Sequence, residues 1–73
     1  EDNMSGSVYK VIELIGSSPK SWEDAVENII MEASKSLRDI RVAEVSELDV
    51  RVEDGKIAEY RTKVRVSFRY EKK

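Results

Sequence analysis

The run VYKVIELIGSSPKSW, Val8 to Trp22, constrains this chain most, because it holds a strand, its stop signal and the start of a helix in one short stretch. Val8, Tyr9, Val11, Ile12, Leu14 and Ile15 make a β-rich segment with apolar residues on both faces, and Gly16, Ser17, Ser18 and Pro19 read as its end. A helix must follow. Ser21 can accept from the backbone N–H two or three residues on, Asp24 stands at the capping-box position, and the acidic pair Glu23 and Asp24 suits the positive end of a helix dipole. A strand apolar on both faces in so short a chain points to a partner that covers one of them.

From Trp22 onward the apolar residues recur as Trp22, Ala25, Val26, Ile29, Ile30, Ala33 and Leu37, the spacing of one helix face. Glu23, Glu27, Glu32 and Lys35 occupy the solvated side, and Arg38 suits the negative end of a helix expected to stop near Asp39. Beyond it, Ile40, Val42, Leu48, Val50 and Val52 share one parity, which Glu44 and Ser46 interrupt, so the second strand is expected to bend or bulge there. After Asp54-Gly55 the alternation is strict. Ala58, Tyr60, Thr62, Val64, Val66, Phe68 and Tyr70 hold one face, and Glu59, Arg61, Lys63, Arg65, Ser67 and Arg69 hold the other.

Two registers suit the hairpin. Charge favours Arg51 opposite Glu59, Asp49 opposite Arg61 and Glu47 opposite Lys63; a type I turn with Gly55 at a bulge favours Val52 opposite Lys56. In either register the order is strand, helix, strand, strand. A right-handed crossover then places strand 3 between strands 1 and 2, giving an α+β fold: a three-stranded antiparallel sheet of order 1-3-2 packed on one helix. Residues 1–7 are read as a disordered or added leader with Met4 as the natural start, and residues 8–73 as a single domain.

At 73 residues the chain buries only about 60% of its unfolded surface, which leaves a lone domain marginal. It contains neither cysteine nor histidine, so disulfides and the usual zinc ligand sets are excluded, and oligomerisation is the remaining source of stability. Thirteen basic and fifteen acidic residues give a net charge of −2, which offers no bulk attraction to nucleic acid or anionic lipid. No apolar stretch is long enough to span a bilayer, and the expected setting is cytoplasmic. The row Arg61, Lys63, Arg65 and Arg69 lacks interleaved aromatics, so it reads as a face neutralised by acidic groups of strand 2 or of adjoining subunits. Without His or Cys, and with no recognisable nucleophile or phosphate-loop motif, the chain is not expected to be an enzyme.

VYKVIELIGSSP at Val8–Pro19, the alanine-containing helix, IRVAEV at Ile40–Val45 and KVRVSFR at Lys63–Arg69 together resemble the dodecin family. The resemblance implies small β-α-β-β subunits assembled into hollow dodecamers, with riboflavin-type flavins bound between subunits in the flavin-binding members. Three positions that match the flavin site are substituted. Val42 stands where those members have a stacking tryptophan, Asp49 where they have an arginine, and Arg61 where a glutamine meets the ring edge. Trp22, at the helix start, is read as a packing anchor and not as a replacement. Ser18-Pro19-Lys20-Ser21-Trp22 and Ile40-Arg41-Val42-Ala43 are similar to the flavin-less calcium dodecins, which implies calcium and not flavin as the ligand. Glu47 and Asp49, two carboxylates on one strand face, are the candidate metal ligands. The readings are thus a homododecamer that binds or stores a small ligand or ion such as calcium, a flavin-sequestering dodecin, or a purely structural assembly.

Overall fold

The computed structural model describes residues 8–69. In chain order these form β1 (Tyr9–Ser18), α1 (Trp22–Ala33), β2 (Ile40–Glu53) and β3 (Lys56–Arg69), in one antiparallel sheet of order β1-β3-β2. The expected architecture is therefore the observed one. Residues 1–7, read above as a leader, and Tyr70, assigned above to the apolar parity of the third strand, lie outside the described residues.

The strand in the opening run is longer than its composition suggested. β1 continues through Gly16, Ser17 and Ser18, and Gly16 makes this possible by lying directly beneath the helix. A Cβ built there would clash with the Ile29 side chain and stand 2.9 Å from the Ala25 carbonyl oxygen. Ser18 is buried, where its hydroxyl donates to the Asp24 carboxylate at 2.6 Å and accepts from the Lys20 N–H at 2.9 Å. Ser21 caps the helix as expected, accepting from the Asp24 N–H at 3.0 Å. Asp24 thus anchors the strand-to-helix turn through Ser18.

At the other end the helix stops short of its expected limit. Ser34 is the C-cap, and bonds from Lys35 N–H to Glu32 O and from Ser36 N–H to Ala33 O tighten the chain into turns. Short polar side chains such as Ser34 and Ser36 compete for backbone hydrogen bonds and weaken a helix end, and Asp39 then reverses the chain at φ 61. Arg38 consequently lies outside the last helical turn, while Leu37 still packs against the core.

That core is small. Ile29, Val64 and Val66 form its buried centre, Ala25 and Ala33 are buried on the helix, and Ile12, Leu14, Val26, Ile30, Leu37 and Ile40 pack around it. The helix lies over β1 and β3 and leaves most of β2 uncovered. β2 and β3 run 14 residues each against 10 for β1, so the hairpin projects as an arm and the molecule measures 54 × 21 × 16 Å.

The hairpin resolves its two candidate registers by bulging. Arg51 lies opposite Glu59, Asp49 opposite Arg61 and Glu47 opposite Lys63, the pairing that charge favoured. Nearer the loop, Ala58 is the extra residue of a bulge that brings Val52 opposite Ile57 and Glu53 opposite Lys56. The loop is then Asp54-Gly55 alone, both at positive φ (51 and 77), as a twist-matched two-residue hairpin turn requires. Val52 opposite Lys56 does not occur. A second bulge, at Ser46, puts Ala43 and Val45 on one face with Leu48 and Val50, and the Ser46 hydroxyl donates to the Lys63 carbonyl at 3.1 Å; a further register shift between Ile40 and Val42 turns Val42 to the other face, away from the parity expected for it.

Candidate ligand face of the sheet

Residues directly opposite in an antiparallel sheet share a face, so the register assigns the paired side chains of β2. Ala43, Val45, Leu48 and Val50 lie on the helix side with Val66, Val64, Thr62 and Tyr60. Val42, Glu44, Glu47, Asp49 and Arg51 lie on the opposite, outward side with Ser67, Arg65, Lys63, Arg61 and Glu59. The outward face therefore carries all four candidate site residues.

Its chemistry is a ladder of ion pairs. The Arg61 guanidinium grips Asp49 with two bonds, Nε to Oδ1 at 2.8 Å and Nη2 to Oδ2 at 3.0 Å. This pair holds the Asp49 carboxyl below its ordinary range, chiefly through the hydrogen bond from Arg61, and raises Arg61 in return. Arg51 bonds Glu53 at 2.8 Å and Glu59 at 3.2 Å, which raises it too. Lys63 stands 4.0 Å from Glu47. Arg65 on the central strand reaches Glu13 of β1 at 3.3 Å and Glu44 of β2 at 3.7 Å, spanning the whole sheet. Arg61, Lys63 and Arg65 are neutralised as their alternation with acidic strands suggested.

Of the three positions matched to a flavin site, the fold brings two together. Asp49 and Arg61 occupy each other, whereas Val42, 58% exposed beside Ser67, lies about 20 Å away along β2. No aromatic ring adjoins Val42 among its register partners. Glu47 and Asp49 both border a small cavity of about 60 Å³ with Ile15, Thr62 and Lys63. No group of three or more carboxylates converges on a metal position among the described residues. Two carboxylates, each facing a cation, fall short of the 6–8 oxygens calcium takes, so one chain alone does not fit the ion.

Trp22 does more than pack. Its ring meets Tyr60 edge-on at 5.2 Å and 78°, and its Nε1–H donates to the Asp49 carbonyl at 3.0 Å, tying the helix start to β2. Neither this bond nor the three-strand bridge of Arg65 was foreseen from sequence. Both join residues far apart in the chain whose meeting depends on the register of two strand pairs.

A sequence model of the dodecin family matches residues 8–71. The chain belongs to the dodecin family. Among curated relatives, the calcium dodecin of Mycobacterium tuberculosis is 49% identical over 63 residues, covering 86% of this chain and 89% of that protein. The solved structure of that organism's calcium dodecin, described as calcium chelating with a novel calcium-binding site, superposes with a TM-score of 0.79 at 52% identity. It covers 89% of this chain and 93% of the other. The dodecin of Streptomyces coelicolor superposes with a TM-score of 0.90 at 34% identity, covering 96% of this chain and all of that one. This dodecin thus shares its fold with relatives well below the similarity it has to a calcium dodecin.

Proposed function

We propose that this dodecin is a non-enzymatic, cytoplasmic homododecamer that binds calcium and not flavin, with ions held where copies meet. The observation that carries the choice against flavin is the Asp49–Arg61 clasp: the two positions matched to the flavin site bind each other, and Val42 offers no stacking plane. The likeness to a calcium dodecin supports the choice of ion. Glu47 and Asp49 are the carboxylates this chain would contribute, and the remaining oxygens would come from other copies, since calcium takes more ligands than two side chains supply.

Calorimetry on chelator-treated assembly tests the reading. Calcium should bind with a stoichiometry set by the subunit contacts, and Glu47→Gln with Asp49→Asn should weaken it. Riboflavin titrated into the same protein should keep its fluorescence. A second reading, a structural assembly without ligand, is favoured by the cations already facing both carboxylates. Calorimetry without heat at any calcium concentration would select it.

A further inference from the structure

Trp22 meets both strands of the Asp49–Arg61 pair from the other side of the sheet. Its indole Nε1–H donates to the Asp49 carbonyl at 3.0 Å, its ring stands edge-on to Tyr60 at 5.2 Å, and its own carbonyl accepts from the Thr62 hydroxyl at 3.4 Å. Tyr60 and Thr62 are the neighbours of Arg61 in the chain, and Arg61 lies directly opposite Asp49. One residue at the helix start thus holds the backbone of Asp49 and both neighbours of its cation. Side chains alternate along a strand, so those of Asp49 and Arg61 leave on the far face, and Trp22 acts on the pair through the backbone.

We propose that Trp22 is a positioning residue for the ligand face: from the helix side it sets where the Asp49 carboxylate and the Arg61 guanidinium stand relative to each other. Two parallel N–H···O bonds, at 2.8 and 3.0 Å, need the two backbones at one spacing and one register. Asp49 is the middle residue of the Glu47–Arg51 segment, and a register shift bounds that segment at each end. Bulges disrupt the ladder on both sides, so contacts within the segment must hold its register, and the bond from Trp22 falls at its centre. The consequence for calcium rests on the function proposed above. Groups that hold a metal ligand in place set affinity strongly, and Trp22 holds Asp49 by its main chain.

Trp22→Phe keeps an aromatic ring and removes the N–H donor, and two measurements on the whole assembly test its effect. The first needs no ligand: the titration of the Asp49 carboxyl, followed by carbon NMR of aspartate-labelled protein and assigned with Asp49→Asn. Arg61 holds this carboxyl below its ordinary value, so a loosened pair should raise the midpoint toward the ordinary one. Glu47, Arg51, Glu59 and Lys63 surround the pair, and β1 faces it with Ile15 and Ser17; all stay in place, so a moved midpoint reports the pair itself. The second is calorimetry with calcium, which Trp22→Phe should bind roughly ten-fold more weakly. Ile29→Val, a core truncation, should lower the melting temperature and leave both readouts as in the wild type. Thr62→Val removes the hydroxyl bond to Trp22 and should raise the Asp49 midpoint by less. A midpoint unmoved in Trp22→Phe, or in Thr62→Val should the first variant not fold, would overturn the positioning role whatever calcium does. A raised midpoint in a protein whose wild type gives no calcium heat would support positioning and overturn the calcium reading. A raised midpoint with unchanged calcium affinity would overturn the part of Trp22 in ligand binding.

Discussion

Gly16 shows how a single residue governs the packing of this dodecin. Its missing Cβ lets β1 pass under the helix at Ala25 and Ile29, so Gly16→Ala should force the helix outward and cost roughly 1 to 3 kcal/mol, an overpacking penalty. Glu27→Ala, on the solvated side, should stay within about 0.5 kcal/mol. Thermal melts of the two variants check the contrast, and equal midpoints would refute the close approach. Asp49 adds a small acid-side dependence. Its carboxyl titrates lower folded than unfolded because Arg61 favours the charged form. The pair therefore contributes fully above the unfolded value, near pH 4, and its contribution fades as pH falls through the depressed folded value. Asp49→Asn should remove this part of the acid dependence, which a stability profile between pH 2 and pH 6 would reveal.

Among the elements, the β2–β3 hairpin depends most on its loop. Gly55 has φ 77 and Asp54 φ 51, so only a loop tolerant of left-handed backbone fits between Glu53 and Lys56. Gly55→Ala meets no steric obstacle in space, since nothing lies within 4 Å of an added Cβ, and its cost is conformational alone, about 1 kcal/mol. Urea titration should show that drop, and an unchanged midpoint would mean the turn adopts another form. The alternation from Ala58 to Phe68 and the apolar spacing of the helix were legible because each reports a local period. The bulge at Ala58 was not. It reconciles a preferred turn with preferred charge pairs, and each preference by itself suggests a different register.

For the whole molecule, exposed apolar residues on both sides of the sheet, Val11 and Val42 outward and Val45 and Leu48 on the helix side, outweigh the core one chain can bury. On the function proposed above, the outward face selects the ligand. Restoring flavin binding should need all three positions together: Val42→Trp alone should leave riboflavin fluorescence unquenched, and Val42→Trp with Asp49→Arg and Arg61→Gln should quench it. Stacking of a base on an aromatic, a fair guide, is worth about 1 to 3 kcal/mol, and Val42→Trp alone leaves Asp49 and Arg61 clasped to each other. Quenching by the unaltered protein would refute the assignment of this face.

The sequence by itself determined the element order and the buried faces of the helix and of the third strand, which follow from periodicity, capping and residue type at short range, and the sheet order, which follows from the handedness of the crossover. Tertiary structure alone decided the far-reaching contacts. Trp22 meeting the Asp49 carbonyl, Arg65 bridging three strands, and β1 running on beneath Ala25 each need two elements in a particular register. A pattern read along one segment names a face, and which residue of another segment lands opposite depends on bulges and close approaches that form only when both are packed.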